Sequence, residues 1–100
     1  MKFSFHPEAE EEFEASIAYY EQCDPGLGLD FAREVHTAIQ NALAYPSLWT
    51  EIEPEVRRCL THRFPFGVLY SIEQDEIFIL AVMHLHREPD YWKHRLSDTS

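Results

Sequence analysis

Several common routes to function are closed by what this chain of 100 residues lacks. The longest uninterrupted apolar run, 77–83, falls far short of the roughly 20 residues a bilayer-spanning helix needs. The opening "MKFSFHPEAEEE" turns acidic where a secretory leader requires apolar residues, so no export and a cytoplasmic location are expected. The two cysteines, Cys23 and Cys59, are far apart and form no CxxC, which argues for free thiols in a reducing compartment. Three glycines, with Gly26 and Gly28 in a turn, supply no phosphate-cradling loop. Ser16, Ser47 and Ser71 have no base and orienting acid at recognisable spacing, so a hydrolase triad has no support. Without repeats, low-complexity segments or a composition break, residues 1–100 read as one domain.

Positive charge is scarce and confined. Residues 1–55 hold twelve Asp or Glu against only Lys2 and Arg33, whereas residues 56–100 balance six acids with six bases. The net charge of −10 opposes long-range attraction to nucleic acid, so contact with a polyanion would need a local patch in the second half.

The apolar pattern predicts the elements. "KFSF" (2–5) alternates as a short strand. Pro7 suits the first turn of a helix whose early glutamates complement its dipole, and Ala9, Phe13, Ile17 and Tyr20 recur at helical spacing. After the turn "CDPGLG", Phe31, Val35, Ile39 and Leu43 mark a second helix stopped by Pro46. Residues 46–55 read as a loop. Strands follow at 56–64, 67–73 and 76–85, with Gln74–Asp75 as a tight hairpin turn. A short helical turn is expected from Pro89, then a frayed tail at 96–100. The order β-α-α-β-β-β predicts an α+β fold, with two N-terminal helices on one face of a small, mostly antiparallel sheet and a short C-terminal helix.

Helices on one face leave the other open, and "HLHREPDYWKHR" (84–95) follows directly on the last strand. Alternation puts Arg57, Cys59, Thr61 and Arg63 on one side of the third segment and Arg58, Leu60 and His62 on the other, with two adjacent arginines leaving the register ambiguous. Arg57 or Arg58, Arg63, His84, His86, Arg87 and Tyr91 are expected to converge in a concave patch fit for a phosphate or a partner's carboxylates. Equally, these bases could simply pair with Glu51, Glu53, Glu55, Glu88 and Asp90. His84 and His86 have the spacing of two metal ligands on a strand, with His62 or His94 as a third, but solvated histidines fit the same pattern and no metal or other cofactor is expected. Adjacent ring residues point apart on a helix, which assigns Trp92 to the core and Tyr91 to the surface.

The ordered set "RFPF", "VLYSI", "IFILAVMHLHREPDYW" and the terminal "HR", preceded by "FHPEAEEEFEASIAYYE" and "GLGLDFAREVHTAI", resembles the RelE/ParE superfamily of toxins from type II toxin–antitoxin systems, often labelled plasmid-stabilisation proteins. The resemblance covers residues 3–95. It implies a growth-inhibiting toxin, a small antitoxin partner that masks it, and one of two actions. RelE-like members cut messenger RNA on the ribosome without metal, and ParE-like members inhibit DNA gyrase. For the ribonuclease, the implied catalytic set is Arg58, Arg63, His84, Arg87 and Tyr91. Arg58 stands at a strand lysine of that branch, but Leu60 and Gly67 occupy two positions that are basic there. Those departures and the acidic charge argue against cleavage, and the matching pieces resemble the ParE-like branch more, with a degenerate, non-toxic member as a further alternative.

Overall fold

The computed structural model describes residues 1–99. Strand β1 (Lys2–Phe5) leads into helix α1 (Pro7–Cys23), α2 (Leu27–Ala44), and strands β2 (Thr50–Glu53), β3 (Val56–Leu60), β4 (Phe66–Glu73) and β5 (Glu76–His84). A 3-10 helix, Lys93–Thr99, follows; Ser100, at the end of the expected tail, lies outside the described residues. The sheet order is β1-β5-β4-β3-β2, antiparallel except for β1, which runs parallel to β5.

The helical hairpin forms where the sequence places it. Pro7 occupies the first turn, and the buried His6 accepts from the Glu8 N–H through Nδ1 at 3.1 Å. Gly26, at φ 90°, turns the chain, and the Glu21 carboxylate accepts from the Gly26 and Gly28 N–H groups at 3.1 Å. Gly28 does more than turn: a Cβ there would lie 2.6 Å from the Ile17 carbonyl oxygen, so it permits the close approach of the two helices. Phe31, Val35, Ala38, Ile39 and Ala42 then seal against Cys59, Phe66, Val68, Tyr70, Ile77 and Ile79 of the sheet. The Tyr70 hydroxyl donates to the Pro46 carbonyl at 2.6 Å, which fixes the end of α2 to the sheet; burial pushes that phenol up to about 12.

The Gln74–Asp75 turn is as expected, both residues lying in the left-handed region (φ 52° and 63°) that a two-residue hairpin demands. Three boundaries differ from the sequence reading, the first being the C-terminal helix, which begins at Lys93 instead of Pro89 and runs to Thr99 through most of the expected tail. The expected loop 46–55 contains edge strand β2, whose Ile52 packs on the sheet's second face; Glu55 makes the β2–β3 turn at φ 68°. The strand expected over 56–64 ends at Leu60, because Thr61 Oγ1 donates to the Phe64 carbonyl at 2.6 Å and curls the chain out of the ladder.

The second face is not open throughout. Val56, Leu69, Leu80, Ala81 and Met83 form a smaller cluster there under Trp92, which is 1 % exposed, as its assignment to the core anticipates.

Candidate functional site

The geometry of the C-terminal segment follows from one extra residue in β5. Leu69 pairs with Ala81 and Tyr70 with Ile79, so Leu80 is a bulge. Leu80 and Ala81 therefore both face the second cluster, and every later residue is on the opposite side from simple alternation. His84 consequently stands on the helical side, its ring 5.2 Å from Phe66, in a 370 Å³ groove with Ala15, Ser16, Tyr19 and Tyr20 of α1. His86 stays with it, ring centroids 5.2 Å apart, and its N–H donates to His84 Nδ1 at 3.0 Å. Among the described residues no three His, Cys, Asp or Glu side chains are grouped to hold a metal.

The same bulge sits where β5 loses its neighbour. β1 pairs only with residues 76–79, which leaves the following backbone of β5 without a strand on that side. Side chains complete it. Glu12 Oε1 of α1 accepts from the Val82 N–H at 3.1 Å, and Arg95 donates to the Leu80 carbonyl at 2.9 Å. Arg95 also forks onto both Glu12 oxygens at 2.8 and 3.0 Å, and the Tyr91 hydroxyl donates to Glu12 Oε2 in a short hydrogen bond. Arg95 is 4 % exposed; burial opposes its charge, and the Glu12 carboxylate outweighs that and raises its proton affinity. Burial, then the bond to Glu12, raise the Tyr91 phenol far above its usual range. Tyr91 is thus half-buried and committed, where the sequence reading displays it at the surface. Arg87 lies over its ring at 4.1 Å and Arg95 at 5.1 Å from the centroid.

Arg63 is held elsewhere. Its guanidinium is 3.5 Å from Asp30 and stacks on Phe64, beside the helices. The backbone N–H groups of His62 and Arg63 both donate to Glu34 Oε1, at 2.8 and 3.0 Å. Burial would raise the Glu34 carboxyl, but these two bonds outweigh it and hold it below its ordinary value. Arg57 turns toward the helical side and donates to the Trp49 carbonyl at 2.7 Å.

Arg58 alone of the β3 arginines lies on the second face. Its stem crosses Gly67, where a Cβ would sit 3.1 Å from Arg58 Cγ and Cδ. Arg58 lines a 290 Å³ cavity with Ile52, Glu53, Leu69, Met83, Pro89, Asp90 and Trp92. The expected patch therefore resolves into four places: Arg58 in this cavity, Arg87 on Tyr91 past the end of β5, His84 in the α1 groove with exposed His86 against its ring, and Arg63 against α2. Sequence reasoning missed Glu12 and Arg95 as partners. The usable signal was Glu12 preceding Phe13 and following Glu8 by one turn, which sets a carboxylate at the border of the apolar stripe of α1.

Comparison with known proteins bears on this arrangement. A family model described as the ParE toxin of type II toxin–antitoxin systems, parDE, matches residues 3–89. No curated protein sequence gives a significant match. Among solved structures, the fold is similar to a chain of the chromosomal ParDE toxin–antitoxin system from P. aeruginosa (TM-score 0.74, 19 % identity, covering 86 % of this chain and 97 % of that one). It is also similar to the isolated E. coli RelE toxin (TM-score 0.64, 12 % identity, covering 99 % and 98 %). No helix among the described residues is long and apolar enough to cross a membrane.

Proposed function

Because this chain belongs to the ParE toxin family of type II toxin–antitoxin systems, we propose that it is a toxin neutralised by a cognate antitoxin and that it acts in the cytoplasm by binding a protein target such as DNA gyrase. The observation that carries this reading is the state of Tyr91. A tyrosine that moves protons in phosphoryl transfer must present its hydroxyl to the reacting phosphate. Here that hydroxyl is bonded to Glu12, its proton affinity is raised, and the ring is packed between elements of the fold. Arg63 lies beside α2 next to Asp30, and Gly67 contributes no cation beside Arg58. Too few positive groups gather at one point to stabilise a pentavalent phosphate. The chain's charge of −10 adds repulsion toward ribosomal RNA.

Purified gyrase supplies the test. Supercoiling should fall with added protein and recover when the product of an adjacent antitoxin gene is supplied. Unchanged supercoiling, together with codon-specific messenger cuts in primer extension, would overturn the reading. A second reading, ribosome-dependent cleavage, is favoured by one observation: Arg58 faces a cavity beside the indole of Trp92. In that case Arg58→Ala should abolish the cuts.

A further inference from the structure

The cavity on the second face holds an arginine without a matching acceptor. Arg58 is half-buried, and its guanidinium has no hydrogen-bond or ion-pair partner among the described residues. Its position is set from below: the missing side chain of Gly67 makes the trough in which the Arg58 stem lies. The acids nearest to hand are already taken. Lys93 Nζ bridges Glu53 Oε1 at 2.6 Å and Asp90 Oδ1 at 3.1 Å, which ties β2 to the C-terminal segment and offsets one of the two negative charges of the rim. Trp92, which also lines the cavity, has a fully buried indole N–H without an acceptor.

Such a set calls for a ligand that brings oxygen acceptors. A guanidinium fork matches a carboxylate in two parallel hydrogen bonds, and partial burial strengthens the pair. The remaining walls, Ile52, Leu69, Met83, Pro89 and the Trp92 ring, are apolar. The 290 Å³ they enclose is room for a side chain or two, not for a folded element. A polyanion fits poorly, since phosphates flanking the first would meet Glu53, Asp90 and the field of a chain at −10. A single carboxylate can sit on Arg58 with its apolar neighbour on the apolar walls, while Lys93 holds the Glu53 and Asp90 carboxylates that share the rim.

We propose that this cavity reads a carboxylate: it takes a segment of a protein partner that presents one acidic side chain to Arg58 and an adjacent apolar side chain to Leu69, Met83 and Trp92. The proposal does not depend on which target the toxin arrests.

The test uses the full chain, isotope-labelled, and a short peptide blocked at both ends with a central glutamate flanked by leucines. Its counterpart carries glutamine in place of glutamate. The Glu peptide should shift the Trp92 indole N–H and Arg58 Nε–H signals in proton–nitrogen spectra. The Trp49 indole, already bonded to the Asn41 carbonyl at 3.0 Å, serves as the internal reference and should stay still. The Gln peptide should bind at least about tenfold more weakly, the loss expected when a charge-assisted bond is removed. Arg58→Gln should lose the discrimination, and Gly67→Ala, whose methyl displaces the Arg58 stem, should weaken binding with Arg58 intact. Arg33→Gln, on exposed α2 surface, should bind as the unaltered chain does. No shift at millimolar peptide, equal binding of both peptides, or tighter occupation of the same signals by a single-stranded RNA oligonucleotide would each overturn the proposal.

Discussion

Against the helices, the sheet is sealed by rings from both layers: Phe31 meets Tyr20, Phe64 and Phe66 at centroid distances of 4.7–5.2 Å. On the other face a single indole, Trp92, closes a smaller cluster, and the segment that carries it is held by a part-buried Glu12–Arg95 pair instead of by more apolar contact. The first face is built by area and the second by a few directed bonds. A face of the second kind can be left with a cavity and an unpaired Arg58, because its closure does not require every side chain to be apolar.

The comparison can be broken by substitution. Phe31→Ala should cost about 3–5 kcal/mol, read as a lower urea midpoint with all signals falling together. Arg95→Met should cost about 3 kcal/mol because it removes the counter-charge of the part-buried Glu12 carboxylate, and adding Glu12→Leu should restore part of the loss. If the double variant is no better than the single, the pair is not what holds the second face. Tyr91→Phe, which removes one donor to Glu12 but leaves Arg95 in place, should cost about 1–2 kcal/mol. Glu34→Gln should cost less than about 1 kcal/mol at neutral pH. Its folded carboxyl lies below the ordinary 4.5, so its contribution is complete above that value and is lost as the pH falls through the lower folded one. The stability gap between Glu34→Gln and the unaltered chain should therefore hold at neutral pH and close on acidification, with faster amide exchange at His62 and Arg63 as the local sign.

Much of the first face was legible. The stripe Ala9, Phe13, Ile17, Tyr20 and its counterpart on α2 gave the helices, and the Gln74–Asp75 pair gave the hairpin; on the other face only the burial of Trp92 was anticipated. The rest of the second face was not legible, for reasons that lie in the physics of strands. A bulge shifts every later side chain to the other surface, and in a run that is apolar on both sides, 77–83, nothing local marks Leu80 as the extra residue. Strand β2 is short and lies among Pro54 and three glutamates, so its pairing with β3 is a tertiary fact. The partners of Arg63 and Tyr91, Asp30 and Glu12, are far back in the chain, where spacing carries no information about contact.

Growth after induction, compared between Arg58→Gln and Tyr91→Phe at matched soluble expression and confirmed folding, tests most directly whether the toxin acts through the Arg58 cavity, with Tyr91 serving only the fold. Arrest that disappears with Arg58→Gln and persists with Tyr91→Phe is the expected result. Arrest that is lost with a folded Tyr91→Phe, or that survives Arg58→Gln unchanged, would contradict it.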